Sequence, residues 1–552
     1  MAERRSRLLV AAALAGLTVT AAAFAGATPS SAAPPGPPVN ERVDRPLVAR
    51  GSTPAVRSAP RRLSSQAVGE RENPTVPDGA PRGLADPVRQ AGVAGSSTAS
   101  GTAVTDSSSF LGLGVGETTF TMKYAPPDTN AAVGLDRVVQ TVNVMVGVYA
   151  KNDVLNADGT VKVAAGKLVT PAFLGSTLFG GLVGTAGGRC ATRDDGDPVV
   201  QYDQDNGRWL FSQFVADKAP YLECVAVSKT SDPTGEYWAY AYSYGTDFPD
   251  YPKIGVWPGS YVVTYNTFRQ GRTFNGAEAC ALDRAKMITG APAAQQCFKT
   301  KSYASLMPAD QDGPTAAPTG TDAYVLNVSS GKLRLWRLKV DWTTTANSRF
   351  TGPVDVSGTA AWSAPCSGAC VSQPGTTQKL DGLADRLMYR LAYRNRGGTQ
   401  SLLVNHSVGN GSGVLAPRWY ELRPSGSGLA VEQQGTYAPD ATSRWMGSIA
   451  MNRAGDIALA YSASSGSISP ALRWAGRPAG SAEATGTLGD EVSIIAGAGS
   501  QVGLSRWGDY SSMDVDPSDD CTFWFTSEYL TSGGSFNWST RIAKLKVSSC
   551  GL

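Results

Sequence analysis

The chain has 552 residues, of which 62 are glycine and only 17% are charged, and its net charge is +3. So small a net charge over this length argues against electrostatic capture of nucleic acid, and we expect no nucleic-acid partner. High glycine content with few charges is typical of a β-rich protein with many turns.

The N-terminus predicts an export signal. Arg4, Arg5 and Arg7 precede an apolar run over residues 8–25, and small residues suited to cleavage follow at 23–27 and again at 31–33. We assign residues 1–33 to this signal, with a twin-arginine export route as the less favoured alternative. Because no later run is long and apolar enough to span a membrane, we expect a secreted, extracellular protein.

Residues 34–107 are rich in Pro, Ser, Gly, Ala and Arg, contain few aromatic residues and show no hydrophobic period. Such a segment cannot bury enough apolar surface to offset its loss of conformational entropy. We therefore predict a disordered linker or pro-segment here, followed by one folded domain over residues 108–552. The stretch "TTFTMKY" at 118–124 is expected to be an early strand of that domain.

A repeat organises the rest of the chain. Polar or Gly/Pro junctions recur about every 60 residues, and each precedes an apolar, alternating strand. Several units continue with an Asp/Asn/Gly turn and an aromatic second strand, as in "VVQYDQDNGRWLFSQF" at 199–214. The seven junctions lie near Asp128, Asp197, Asp250, Asp312, Asp381, Arg444 and Arg506.

This period predicts an all-β fold, a β-propeller of seven blades, with six blades as the alternative. A pair of β-sandwiches also uses short, regularly spaced strands, but it does not explain seven similar junctions. Few residues follow Arg506, so we expect the N-terminal strand at 118–124 to complete the last blade and close the ring.

The eight cysteines all follow the signal, and an even number in an exported chain predicts disulfides. A zinc site is the weaker alternative, since the chain has no C-x-x-C motif and a single histidine. Pairing of neighbours along the chain is the simplest arrangement: Cys190–Cys224, Cys280–Cys297, Cys366–Cys370 and Cys521–Cys550.

The junction residues are the candidate site. In a propeller the first strand of each blade begins beside the central axis, so these side chains would converge at one mouth of the channel. Carboxylates, guanidinium groups and indoles together suit a polyhydroxylated ligand. The catalytic candidates are Asp197, Asp250, Asp385 and Asp509, and the candidates for ligand binding are Asp128, Lys253, Asp312, Arg386, Arg444, Trp445, Arg506 and Trp507.

Structural roles compete with these functional ones. An aspartate at a junction can cap a turn, and an Asp–Arg pair can clamp two blades together. His406 is the only histidine, so a Ser-His-Asp or Cys-His site would require it, but a buried structural histidine is favoured. Nucleotide-binding motifs and EF-hand spacing are absent, so we expect no cofactor and leave open only a structural calcium near 514–520.

Several motifs resemble those of a widespread group of secreted bacterial propeller-like proteins without an assigned reaction. They include "APPDTNAAVG", "DGDPVVQYD", "DYPKIGVWP" and "SRWGDYSSMDVDPSDDCTFWFTSEY", and the resemblance covers the chain from about residue 126 onward. It implies export and a propeller fold. More distantly, "DPVV" and "DYPKIGV" are similar to blade starts of sialidase-like and glycosidase propellers, although the repeated S-x-D-x-G-x-T-W box of sialidases is missing.

The leading functional hypothesis is a secreted propeller that acts on extracellular polysaccharide at its central funnel. Two carboxylates across such a funnel could serve as acid and base, or as acid and nucleophile, in a glycoside hydrolase, and a lyase is the related option. The sequence does not fix which pair acts. The alternative is a non-catalytic propeller, monomeric in either case, that binds glycan or a cell-surface protein or serves as an adhesin.

Overall fold

The computed structural model describes residues 38–59, 69–70, 81–92, 104–117, 124–364, 366, 368–410, 413–482, 484–547 and 550. The predicted signal peptide lies outside these residues. The described chain is mostly β-strand, arranged in several antiparallel sheets. None of the helices in this part of the chain is both long enough and apolar enough to cross a membrane.

Six strands lie at the N-terminal end: β1 (Glu41–Val43), β2 (Leu47–Thr53), β3 (Gly69–Glu70), β4 (Arg89–Ala91), β5 (Val104–Gly114) and β6 (Tyr124–Ala125). The strands β1, β2, β4 and β5 join sheets formed by later residues, whereas β3 and β6 pair with each other. The structure thus differs from the predicted disorder of residues 34–107 at β1, β2 and β4. The backbone groups of these strands satisfy open sheet edges, which needs little apolar surface. Other parts of the predicted linker lie outside the described residues.

Seven antiparallel meanders of four strands follow in the described chain. The first consists of β7 (Asn130–Val133), β8 (Arg137–Val142), β9 (Met145–Ala150) and β12 (Phe173–Leu174), with a hairpin of β10 (Val154–Leu155) and β11 (Val161–Val163) inserted before β12. The second consists of β13 (Val199–Asp203), β14 (Arg208–Val215), β15 (Tyr221–Ser228) and β16 (Tyr237–Gly245). The third consists of β17 (Asp247–Trp257), β18 (Ser260–Arg269), β19 (Thr273–Asp283) and β20 (Gln295–Thr300).

The fourth consists of β21 (Met307–Asp312), β22 (Ala323–Ser329), β23 (Lys332–Lys339) and β24 (Arg349–Asp355). A hairpin of β25 (Ala369–Val371) and β26 (Leu380–Asp381) precedes the fifth, which consists of β27 (Leu387–Arg396), β28 (Thr399–Gly409), β29 (Leu415–Ser425) and β30 (Gly428–Ala438). The sixth consists of β31 (Ser443–Met451), β32 (Ile457–Ser464), β33 (Ala471–Arg477) and β34 (Val492–Ile495). The seventh consists of β35 (Ser512–Val515), β36 (Phe523–Leu530) and β37 (Trp538–Val547), and β5 is its fourth strand. Helices are short: α1 (Arg284–Met287) and the 3-10 turns Val56–Ser58, Gly175–Leu182, Gly188–Ala191 and Thr345–Asn347.

The hairpin of β13 and β14 shows how the repeated sequence unit folds. Asp203 ends β13 and accepts a hydrogen bond from the backbone N–H of Asn206 at 3.1 Å. Gly207 then takes φ of +60°, a conformation that glycine adopts without steric cost. The aromatic second strand places Trp209 in the core. The Asp/Asn/Gly turn thus links the first two strands of a meander, as the sequence predicts.

The first strands of the meanders contact one another in chain order from β7 to β35, and β35 contacts β7. The strands β21 and β27 even pair in parallel, with Ala309 opposite Leu391. An N-terminal strand completes the last meander as predicted, but it is β5, antiparallel to β37, and not residues 118–124. It begins before residue 108, and residues 118–123 lie outside the described chain.

The hydrophobic core lies between neighbouring meanders. The largest buried cluster draws on the second to fifth meanders, and another on the fifth to seventh. The disulfides join neighbouring cysteines as predicted, namely Cys190–Cys224, Cys280–Cys297, Cys366–Cys370 and Cys521–Cys550.

Candidate functional site

Each meander of the described chain has one non-glycine residue at or near the start of its first strand with φ between 41° and 58°, in the left-handed region. Five of these residues precede the strand, whereas Tyr251 and Met446 lie inside β17 and β31, where the pairing with the second strand is interrupted. Aspartate is among the side chains that tolerate this conformation best. The seven positions are Asp128, Asp197, Tyr251, Ser305, Leu383, Met446 and Asp509. At Asp128, Asp197 and Asp509, the residue that suits this backbone conformation also places a carboxyl group at the end of the meanders where the first strands begin.

A cavity of about 400 Å³ opens at this mouth. Two arginines, Arg193 and Arg506, and two aromatic residues, Phe214 and Phe248, form part of its lining. Six aspartates also line it: Asp128, Asp195, Asp197, Asp217, Asp250 and Asp509. The structure therefore brings together three of the four predicted catalytic residues, and Asp128 and Arg506 join them.

Asn143 connects the starts of two first strands. Its side-chain amide donates a hydrogen bond to Asp128 Oδ2 at 2.7 Å, and its carbonyl oxygen accepts one from the Asp197 backbone N–H at 3.1 Å. On the other side of the cavity, Arg506 forms an ion pair with Asp509. These contacts fix where the carboxyl groups of Asp128 and Asp509 lie.

Lys253 lies behind the cavity, fully buried between two tyrosine rings. Its ammonium nitrogen is 3.1 Å from the ring centre of Tyr251 and 3.4 Å from that of Tyr510. Burial lowers the pKa of Lys253 well below its ordinary value. The Tyr510 hydroxyl donates a hydrogen bond to Asp197 Oδ2 at 2.8 Å. Lys253 was predicted as a ligand contact, but it is not among the residues that line the cavity.

The cavity carboxyls differ in how readily they ionise. Burial, assisted by the charge of Asp197, raises the pKa of Asp250 to about 7. Burial and the charges of Asp197 and Asp509 raise the pKa of Asp128 well above its usual range. Burial also raises the pKa of Asp197, but Lys253 and the Tyr510 hydroxyl oppose this effect. Asp197 is therefore the carboxylate of the three, while Asp128 and Asp250 retain their protons more strongly.

Asp385 and Arg386 lie beside the cavity and do not line it. Arg386 donates hydrogen bonds to both carboxylate oxygens of Asp385, at 2.8 and 3.0 Å. Its guanidinium carbon is 4.8 Å from the ring centre of Tyr251. The predicted catalytic residue Asp385 is thus in an ion pair behind Tyr251, apart from the other three aspartates.

Asp312 was placed at the start of a blade, but it is the last residue of β21. The strand begins after Ser305, so Asp312 lies at the opposite end from the cavity. There the buried Arg390 contacts Asp312 at 2.5 Å, Asp310 at 2.9 Å and Asp514 at 3.0 Å. This cluster joins first strands and lies apart from the cavity at the mouth.

Arg444, Trp445 and Trp507 were also predicted to line the funnel, and the structure corrects this. Arg444 already belongs to β31, paired opposite Ala463, so its side chain leaves the mouth and binds Asp440 at 2.8 Å and Glu491 at 2.7 Å. The rings of Trp445 and Trp507 lie 5.9 Å apart in an apolar cluster, fully buried.

His406 is buried, with Nε2 3.0 Å from the Tyr420 hydroxyl, and burial lowers its pKa to about 3. This is the structural histidine favoured from the sequence.

In the stretch 514–520, Asp516 pairs with Lys151 at 2.8 Å and Asp519 accepts hydrogen bonds from the turn backbone. A calcium ion there remains a prediction. Among the described residues, the only group of three His, Cys, Asp or Glu side chains close enough to share one metal ion is Glu278, Cys280 and Cys297. The two cysteines of this group form a disulfide.

Sequence reasoning missed Asn143, Tyr251 and Tyr510. A signal for the two tyrosines was present, because Asp-Tyr occurs at Asp250-Tyr251 and again at Asp509-Tyr510, each time at a junction. Asn143 had no such signal, since it lies between β8 and β9 and reaches the cavity only through the fold.

The protein is expected to become less stable as the pH rises from about 5 to about 8. Several buried carboxyls have a pKa of about 6 or 7, against about 4 in an unfolded chain. Between those values the folded protein holds more protons than the unfolded chain, so the free energy of unfolding falls with rising pH. Carboxyls with a lowered pKa, such as Asp440 at about 2, change stability only below this window. His406, which the folded protein holds neutral, adds stability as the pH rises through about 6.5, but it is one group against four carboxyls. Calorimetry at the two pH values should show the lower Tm at pH 8, and a higher Tm there would contradict this assignment. The carboxyls are Asp194, Asp250, Asp310 and Asp514.

No family model matches this chain, and no curated protein matches it. Solved structures similar to it include a family PL25 ulvan lyase, at 8% identity over 74% of this chain and 92% of the lyase, with a TM-score of 0.33. Trypanosoma rangeli sialidase matches at 10% identity over 60% of this chain and 59% of the sialidase, with a TM-score of 0.31. A thermostable family-43 glycoside hydrolase matches at 11% identity over 64% and 92%, with a TM-score of 0.28. These distant similarities assign the chain to no family.

Proposed function

We propose that this protein is a secreted, seven-bladed β-propeller that hydrolyses glycosidic bonds of extracellular polysaccharide in the cavity at its mouth. The observation that carries the proposal is the convergence of Asp128, Asp197, Asp250 and Asp509 on one open cavity. The closed sequence of contacts between first strands supports seven blades. Four disulfides are consistent with an oxidising, extracellular location.

The proposed catalytic roles follow from the different pKa values of the cavity carboxyl groups. Glycoside hydrolysis needs one protonated acid for the leaving oxygen and one carboxylate as base or nucleophile. Asp250, whose pKa is about 7, is the general acid. Asp197, hydrogen-bonded by Tyr510 and near Lys253, is the carboxylate. Arg506 and Asp509 complete the wall and can bind sugar hydroxyls, as can Asp128.

A hydrolase fits this cavity better than a lyase does. A lyase that eliminates across a uronic acid must neutralise the carboxylate of its substrate, which usually requires unpaired cations. Here six aspartates face two arginines, and each arginine pairs with an aspartate of the same cavity: Arg193 with Asp195 at 3.0 Å and Arg506 with Asp509. On this proposal the protein acts as a monomer and without a cofactor.

The cavity also offers an apolar surface for a sugar ring. Phe214 and Phe248 pack edge to face, with ring centres 4.8 Å apart, and both line the cavity. Ligand pockets generally combine aromatic side chains with a few polar groups, and here this lining would let a sugar ring stack while the carboxyl groups bind its hydroxyls.

Screening the purified mature protein against a polysaccharide panel, with released sugar as the readout, tests the proposal. At least one polysaccharide should be cleaved, and Asp197→Asn should lower turnover at least a hundredfold while binding persists. Asparagine also tolerates the left-handed backbone at this position, so the fold should survive. The control Asp232→Asn removes an equal charge in a separate groove, where Asp232 pairs with Arg57, and should change little. Binding without any release would instead indicate the non-catalytic, glycan-binding or adhesive alternative.

A further inference from the structure

The amine of Lys253 is held beside the cavity by the same backbone feature that places Asp250 in the lining. The pairing of β17 with β18 is interrupted between these two residues, where Tyr251 takes φ of +56°. Asp250 precedes the interruption and lines the cavity, whereas Lys253 follows it and is fully buried. The last junction supplies a second ring, that of Tyr510, whose centre is 5.2 Å from that of Tyr251. Two junctions with the same Asp-Tyr sequence thus build one cleft around a buried amine.

The described contacts of the Lys253 nitrogen present electron density to it. It lies 3.1 Å and 3.4 Å from the ring centres of Tyr251 and Tyr510, and it donates a hydrogen bond to the Pro252 carbonyl oxygen at 3.2 Å. Ring faces and carbonyl oxygens attract a cation and repel the lone pair of a neutral amine. Burial lowers the pKa of Lys253, but the negative charge of Asp197 opposes this effect. The geometry of the cleft is that of a site for an ammonium ion.

Asp197, on the far side of the Tyr510 hydroxyl, shares a hydrogen bond with a second carboxyl group, that of Asp128. Two carboxyl groups in such contact titrate as a pair, and their surroundings decide which of them keeps the proton. Asp128 Oδ2 accepts a hydrogen bond from the neutral amide of Asn143 at 2.7 Å. Asp197 Oδ2 accepts one from Tyr510 at 2.8 Å, and the ring of this tyrosine carries the Lys253 amine on its face. Positive charge therefore lies on the Asp197 side of the pair.

We propose that Lys253 is a positioning residue, whose ammonium charge acts through Tyr510 to hold the negative charge of the pair on Asp197 and the proton on Asp128. This inference rests on the proposed hydrolase, in which Asp197 is the carboxylate. Lys253 itself does not touch the substrate. Without its charge the proton would pass from Asp128 to Asp197, and Asp197 could no longer act as base or nucleophile.

The other charged groups around the pair do not replace Lys253. Two arginines are near, but each forms an ion pair with an aspartate of its own, namely Arg506 with Asp509 and Arg386 with Asp385. The charge of Asp509 raises the pKa of Asp197. Two more carboxyls interact with Asp197 and are themselves hard to ionise, because burial raises the pKa of Asp250 to about 7 and that of Glu223 well above its usual range. Lys253 is thus the cation that favours an ionised Asp197.

Carboxyl 13C NMR with labelled aspartate, on the wild type and Lys253→Met, tests the proposal without requiring activity. Methionine fills the cleft but carries no charge. The titration midpoint of Asp197, assigned by its absence from Asp197→Asn, should rise by about one to three pH units in Lys253→Met. The control Lys229→Met removes an amine 4.0 Å from the ring centre of Trp238, outside the cavity lining, and should leave this midpoint unchanged. An unchanged midpoint in Lys253→Met would overturn the proposal.

The wild type offers a second measurement, which does not depend on the variant folding. The 13Cε resonance of Lys253 should be that of an ammonium group at about pH 6, and a neutral amine at this pH would equally overturn the proposal.

The pH profile of kcat/KM on the cleaved polysaccharide separates this role from packing. In Lys253→Met the acid limb should move to higher pH by the same amount as the Asp197 midpoint, while the alkaline limb, set by Asp250, should move much less. Lys253→Arg keeps the charge and should restore the acid limb. A uniform loss of activity at every pH, not restored by arginine, would refute the role of Lys253 alone. Failure of the wild type to release sugar from any polysaccharide would refute the hydrolase, and the NMR titrations would still decide whether Lys253 sets the charge of the pair.

Discussion

Replacing Asp250 by Asn is expected to lower kcat on the cleaved polysaccharide at least a thousandfold. An amide cannot donate a proton to the departing glycosidic oxygen, and general acid catalysis contributes on the order of 10²–10⁴ in rate. The loss should be far smaller on an aryl glycoside of the same sugar with an acidic phenol, because such a leaving group departs without protonation. Steady-state rates of the variant and the wild type on both substrates measure the difference.

The matched comparison is Asp197→Asn, in which the proposed carboxylate is removed. This variant should lose activity on both substrates, since a better leaving group does not replace the attacking or deprotonating group. Asp197 has φ of +47°, which asparagine accepts, and Asn143 still contacts its backbone N–H. If both variants lost activity equally on the aryl glycoside, Asp250 would not be the general acid.

The sequence could predict the positions of most strand starts. Junctions at Asp128, Asp197 and Asp509 were found because aspartate there also fits a left-handed backbone, so that chemistry and conformation select one residue. In the other meanders the same backbone position is Tyr251, Ser305, Leu383 or Met446, which share no side-chain chemistry. A repeat of conformation without a repeat of residue type is hard to detect from one sequence.

The two largest errors have this origin. At Asp312 the acidic residue belongs to the end of β21, seven residues beyond Ser305, so the period was followed to the wrong end of a strand. Arg444 lies two residues before the left-handed Met446, in the part of β31 that pairs opposite Ala463, and its guanidinium binds Asp440 and Glu491. The repeat spacing in the sequence does not locate a strand start to within a few residues. An error of that size places a side chain at the wrong end of a strand or on the wrong face of a sheet.

The attached N-terminal strands were missed for a different reason. Composition measures how much apolar surface a segment can bury, and by that measure the linker is poor. The strands β1, β2 and β4 need only hydrogen-bond to the last strand of an existing meander. Their order depends on edges that other residues supply, and no property of the segment itself reveals those edges.

Replacing Arg390 by Met is expected to lower the free energy of unfolding by about 3 to 5 kcal/mol, because it leaves buried carboxylates without their cation. Arg390 of β27 binds Asp310 and Asp312 of β21 and Asp514 of β35. Asp310 also accepts the Val256 N–H of β17 at 2.8 Å, and Asp514 accepts the Val133 N–H of β7 at 3.2 Å. One guanidinium thus organises contacts among five of the seven first strands. Urea unfolding of the variant and the wild type at about pH 8 measures the loss.

Arg423→Met is the matched control, because Arg423 also contacts two carboxylates, Glu421 at 3.0 Å and Glu432 at 3.1 Å, but its side chain is 36% exposed. Its removal should cost less than about 1 kcal/mol. The effect at Arg390 should also shrink at about pH 5, where Asp310 and Asp514, with pKa values of about 6 and 7, are already protonated. Equal losses for the two variants at every pH would mean that the strands are held around the axis by apolar packing between meanders, with the buried arginine only filling space.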